Sequence, residues 1–122
     1  MKRCMIVDDS SVIRKVAKRI LGGTDMTVVE ASNAHEALAI CAVEMPDIVV
    51  VDSSLPDMDT TDLIRQLSSM GAAIKPHIVI SMIQFNVGAI MRAKRAGASG
   101  YILKPFDRKH LLERFREMQI AA

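Results

Sequence analysis

The chain has 122 residues, half of them apolar and a quarter charged, which bounds it to one globular domain large enough to bury a core. A formal net charge of +2 excludes the strong field of a nucleic-acid or membrane-surface binder. Aromatic residues make up 3% while Met numbers nine, so the core is expected to be aliphatic and adaptable rather than ring-packed.

The N-terminal apolar run Cys4-Met5-Ile6-Val7 reads as a strand that stops at Asp8-Asp9, too short for a secretory signal. Ser10 or Ser11 can cap a helix with Val12, Ile13, Val16, Ala17, Ile20 and Leu21 on its apolar side. Arg14, Lys15, Lys18 and Arg19 form the opposite stripe, read as solvated, and Gly22-Gly23 ends the helix. Thr27 to Glu30 is a second strand. Asn33 with Glu36 has the spacing of a capping box, opening a helix that turns Ala34, Ala37, Leu38 and Cys41 inward until Pro46. The run Ala37 to Val43 is far short of a membrane span, and the protein is expected to be cytoplasmic. Cys4 and Cys41 sit in apolar surroundings without paired spacing and read as buried thiols.

Ile48-Val49-Val50-Val51-Asp52 is the chain's most telling stretch. Four β-branched or aliphatic residues without alternation read as a strand buried on both faces, as in a parallel sheet. Asp57 to Thr60 offers caps for a third helix with Leu63, Ile64, Leu67 and Met70 on one face, closed by Gly71. His77 to Met82 is a fourth strand, and a helix from about Asn86 to Ala96 ends at Gly97. Gly100 to Leu103 is a fifth strand running into Lys104-Pro105-Phe106. Asp107 caps a last helix that buries Leu111, Leu112, Phe115 and Met118. Five strand–helix alternations with short connections predict a parallel sheet with helices on both faces.

Three strands end in charge: Asp8-Asp9, Asp52 and Lys104. The carboxyl ends of parallel strands share one edge, where open α/β sheets bind ligands. Three carboxylates there repel one another and call for a cation; an oxygen-only set suits Mg²⁺, with Mn²⁺ as a substitute. A lysine beside them fits phosphate oxygens as a point charge. Together they point to phosphoryl chemistry with one carboxylate as nucleophile.

Ile6-Val7-Asp8-Asp9-Ser10, Val51-Asp52 with Leu55-Pro56 and Met58-Asp59, Ala96-Gly97-Ala98 and Gly100-Tyr101-Ile102-Leu103-Lys104-Pro105-Phe106 together resemble the receiver domains of two-component response regulators, especially stand-alone ones of the chemotaxis kind. The resemblance covers the whole chain, residues 1–122, as a single receiver without an output domain. It implies a flavodoxin-like doubly wound (βα)5 fold with strand order 2-1-3-4-5. It makes Asp52 the phosphoacceptor, Asp9 a ligand of Mg²⁺ with Asp52 and the Ser54 carbonyl, Asp8 a holder of the ion directly or through water, and Lys104 the bridge to the phosphoryl group. A cis Lys104-Pro105 bond is expected from it. Such a protein is not a conventional enzyme: it phosphorylates and dephosphorylates itself, with phosphohistidine or a small acyl phosphate as donor.

Receivers usually carry Thr or Ser at the end of the fourth strand. Counted back from Gly97 and Lys104, that position falls on Met82, with Ser81 one residue earlier and on the other strand face. Coupling to Tyr101 is then expected to be broken or rewired. This departure also supports an alternative, a pseudo-receiver that binds partners without phosphorylation. Asp57-Met58-Asp59-Thr60-Thr61 resembles a haloacid-dehalogenase nucleophile motif, but it does not directly follow a buried strand. His35, His77 and His110 share no motif with the acids, so the donor histidine is expected on a kinase or phosphotransfer protein. The resemblance puts output on the fourth helix, fifth strand and fifth helix, with Ile90, Met91, Lys94, Arg95, Tyr101, Arg108 and Lys109 as candidates. Chemotaxis and a phosphorelay are the implied pathways, and a monomer is the default state.

Overall fold

A computed structural model describes residues 2–120. Five strands alternate with five helices: β1 (Lys2–Val7), α1 (Ser11–Leu21), β2 (Met26–Ala31), α2 (Ala34–Val43), β3 (Ile48–Asp52), α3 (Thr60–Ser68), β4 (His77–Met82), α4 (Val87–Ala96), β5 (Gly100–Leu103) and α5 (Arg108–Glu117). The strands form one parallel sheet in the order β2-β1-β3-β4-β5, the order implied by the resemblance.

Helices cover both faces, which is why β3 reads as an uninterrupted apolar run: every one of its residues is buried. Met5, Val7, Val49, Val51, Ile80 and Met82 face the core beneath α2, α3 and α4. Cys4, Ile6, Val50, Val79 and Ile102 face the core beneath α1 and α5, where Leu111 and Phe115 close the layer. Both cysteines are free and buried.

A polar side chain opens each helix, satisfying an amide that the first turn leaves without a partner. The acceptors are Ser10 for the Ile13 amide, Asn33 for Glu36, Asp59 for Asp62, Asn86 for Ala89 and Asp107 for His110, at 2.8–3.3 Å. Only half of the expected Asn33–Glu36 box forms, because the Glu36 carboxylate accepts from the Ser32 hydroxyl instead. Two expected core positions are exposed. Val12 lies in the first turn of α1, where the apolar stripe has not yet reached the sheet, and Met70 lies beyond the end of α3.

Asp57 caps a different helix from the one it precedes. Its carboxylate accepts from the Ala34 and His35 amides at the start of α2 and pairs with the His35 ring. The β3–α3 loop is thereby tied to the neighbouring helix.

Candidate functional site

Parallel pairing brings the carboxyl ends of β1, β3 and β5 to one edge, and the charged residues that follow them meet there. Lys104 Nζ donates to Asp8 Oδ2 and to Asp52 Oδ1, each at 2.9 Å. All three side chains are buried, whereas neighbouring Asp9 is exposed. The Lys104-Pro105 peptide bond is cis. Around these groups lies a cleft of about 890 Å³ bordered by Ser54, Met82, Gln84 and Arg92.

The two buried acids are held from behind. Asp8 Oδ1 accepts from the Ser10 amide at 2.9 Å, and the Asp8 carbonyl accepts from Arg14 Nη1 at 2.6 Å. Arg14 is fixed in turn by Glu30 on β2 at 3.1 Å. The Thr60 hydroxyl, buried at the start of α3, donates to the Asp52 carbonyl at 2.7 Å. Sequence reasoning missed both supports. Arg14 belongs to a stripe that looks solvated, and nothing local tells it from Lys15 or Lys18.

The fourth-strand position is corrected by the sheet register. Asp52 pairs with Ser81, and the Ser53 amide donates to the Ser81 carbonyl at 2.8 Å. Register partners on parallel strands share a face, so Ser81, not Met82, stands beside the acid. Met82 points to the opposite face, 2% exposed, into the core beneath α3 and α4, and it also borders the cleft.

Burial raises the Asp52 pKa; the Lys104 hydrogen bond opposes this and the Asp8 charge reinforces it. Burial pulls the Lys104 ammonium the other way, but its bonds to Asp8 and Asp52 prevail and its pKa is raised. Lys104 therefore stays a cation. One oxygen from each of Asp8, Asp9 and Asp52 lies within 4.8 Å of the others, so a single ion could be shared among them. The donors are all hard oxygens and Asp9 opens to solvent, which fits a cation that keeps part of its water shell.

Among the proposed partner-face residues, Met91, Lys94, Arg95 and Lys109 are exposed and Tyr101 is half-buried. Ile90 is corrected: it is 7% exposed and packs in the core with Ala93, one turn on. Arg108 is exposed as well, and its Nη1 also donates to the Ile20 carbonyl near the end of α1 at 3.4 Å. Phe85 was not foreseen. Its ring meets Tyr101 edge-on at 5.5 Å, while the Arg114 guanidinium lies 4.5 Å from the Tyr101 ring centre.

A doubly wound sheet whose switch edge gathers two buried carboxylates, an exposed one and a buried ammonium defines the class. The chain belongs to the response regulator receiver domain family of two-component systems, whose family model matches residues 4–116. It is 32% identical over 114 residues to the chemotaxis protein CheY of Listeria monocytogenes, covering 93% of this chain and 94% of that one. It is 33% identical over 116 residues to the response regulator MprA of Mycolicibacterium vanbaalenii, matching 95% of this chain but 49% of MprA. The chain thus spans about half the length of the MprA regulators. Among solved structures, CheY4 of Vibrio cholerae superimposes with a TM-score of 0.90 at 24% identity, covering 97% of this chain and 98% of that one, a likeness of fold. A CheY-like receiver domain from Methanospirillum hungatei gives 0.86 at 30% identity, covering 96% and 92%. No helix among the described residues is long and apolar enough to cross a membrane.

Proposed function

We propose that this receiver takes a phosphoryl group onto Asp52 and signals through the protein contacts that follow. The observation that carries the reading is Lys104 held between Asp8 and Asp52 at the cleft floor. An Asp52 carboxylate oxygen attacks phosphorus in line, forming an acyl phosphate P–O bond. The donor's P–N bond breaks, and a phosphohistidine protonated on its other ring nitrogen leaves as neutral imidazole; with an acyl phosphate, the P–O bond breaks and a carboxylate leaves. Lys104 holds Asp52 Oδ1 and can follow the charge onto the phosphoryl oxygens. Asp8, Asp9, Asp52 and the Ser54 carbonyl would hold Mg²⁺. Bound there, the ion supplies neutralisation of the incoming phosphoryl charge.

Ser81, buried on the same rung as Asp52, supplies the β4 hydroxyl that a phosphoryl oxygen would meet, and Tyr101 is the side chain whose setting can report it. The contact surface comprises Met91, Lys94, Arg95, Tyr101, Arg108 and Lys109, to which exposed Phe85 and Val87 add apolar area. The donor is a histidine kinase or phosphotransfer protein, and the pathway is chemotaxis or a phosphorelay. A phosphorylation-independent reading rests on one observation, that Met82 and not Ser81 is among the residues bordering the cleft.

The test is a phosphate-affinity gel after incubation with acetyl phosphate and Mg²⁺, comparing wild type with Asp52→Asn. A retarded band lost in the variant and after chelation supports the reading. An unretarded wild type that still captures its partners supports the phosphorylation-independent one.

A further inference from the structure

The cleft floor sets three carboxylates against one ammonium, and that ammonium is already engaged by Asp8 and Asp52. A phosphoryl donor carries negative charge of its own, and a bound Mg²⁺ would bring the floor only to formal neutrality, so a further cation at the rim adds attraction for it. One further cation borders the cleft. Arg92, in the middle of α4, lines it together with Asp8, Asp9, Asp52 and Lys104. Arg92 is exposed and makes no hydrogen bond or ion pair with the described residues; Arg19, Arg95, Arg108 and Arg116 also have no carboxylate partner, but of these only Arg92 borders the cleft. Its guanidinium does not extend into solvent away from the site. It folds back over the first turn of its own helix, where a Cβ on Gly88 would lie 3.2 Å from Arg92 Nη1. The bare glycine leaves that place open, beside the Asn86 cap that also lines the cleft. No acid in the first turn of α4 competes for it.

We infer that Arg92 is a positioning residue for the phosphoryl donor, its free guanidinium holding the non-bridging phosphoryl oxygens at the cleft mouth while Asp52 attacks. This rests on the reading of Asp52 as phosphoacceptor. The role matters most for small donors such as acetyl phosphate, which bring no protein surface of their own to orient them. Transfer still proceeds by P–O bond formation at Asp52 and loss of acetate. Arg92 forms and breaks no covalent bond. A planar guanidinium can grip two phosphoryl oxygens at once, and an ammonium at the same place supplies charge without the fork. Removing the side chain takes away a binding contact and a local attraction, so the effect falls on donor capture rather than on the chemical step.

The test follows the phosphorylation rate against acetyl phosphate concentration at saturating Mg²⁺, for wild type, Arg92→Ala and Arg92→Lys. With an exposed charge screened by water, Arg92→Ala is expected to lower the initial slope about threefold to fivefold, through a higher half-saturating donor concentration. Arg92→Lys, which keeps the charge but not the fork, is expected to recover part of the loss, and the Ala variant to show a flatter dependence on ionic strength. Thermal melting is expected to be the same for all three. An Ala variant with the wild-type slope and salt dependence overturns the inference, as does a Lys variant as slow as Ala. If wild type itself takes no label, it is the Asp52 reading that fails.

Discussion

Ser81 and Asp52 occupy the same rung of the β3–β4 ladder, with the Ser53 amide bonded to the Ser81 carbonyl at 2.8 Å. Their side chains leave the sheet on one face, whereas Met82 turns into the core beneath α3 and α4. If Ser81 supplies the hydroxyl for the phosphoryl group, Ser81→Ala should remove the conformational response while labelling of Asp52 persists. Met82→Ala should instead preserve the response while lowering stability through the core volume it empties. Amide chemical shifts around Tyr101, recorded before and after acetyl phosphate, distinguish the two. A full response in Ser81→Ala would return the switch role to another group.

Much of this fold can be read along the chain. β3 announces itself because a strand covered on both faces has no polar side to alternate with, and the charged residues after β1, β3 and β5 mark a shared edge. The position beside Asp52 could not be read by counting from Lys104. That count fixes the length of the β4–β5 connection, but register is set by pairing between strands distant in sequence, and one extra residue flips the face. Ile90 was misplaced for a similar reason: on α4 the buried stripe runs through Ile90 and Ala93, while Val87 and Met91 face outward. Arg14 and Thr60 left no sequence signal, since each acts on the backbone of a residue in another element.

Asp57 should make stability fall in acid. Hydrogen bonds from the His35 amide first, then from Ala34 and the His35 ring, hold its pKa down at about 2, against 3.8 ordinarily. Between these values the unfolded chain binds a proton that the folded one refuses, so the contribution is complete above about pH 4 and lost as pH falls toward 2. Urea melts of wild type and Asp57→Ala across this window should converge as pH drops. A gap that stays constant would show that the tether acts without titrating.

Gly97 ends α4 with φ +128°, and a Cβ there would lie 2.1 Å from the Ser68 hydroxyl at the end of α3. Gly97→Ala combines left-handed strain with this collision, and is expected to cost about 2 kcal/mol or more. Chemical denaturation measures it. Adding Ser68→Gly should recover the part due to the collision but not the part due to φ. Full recovery would place the whole cost in packing.

The two thiols should be inert. Burial raises Cys4 to about 12 and Cys41 to about 11, the latter despite the opposing charge of Arg3. Native protein at neutral pH is expected to leave Ellman's reagent unreacted until denaturant is added. Rapid native labelling of either cysteine would reveal an opening of its core layer.

The most direct measurement is where the phosphoryl group lands. Wild-type protein treated with acetyl phosphate and Mg²⁺, then reduced with borohydride, converts an aspartyl phosphate to homoserine, which peptide mass spectrometry locates. Conversion at Asp52 alone is the expected result. Conversion at Asp8 or Asp9, or none at any carboxylate, would contradict the assignment of Asp52 as the acceptor.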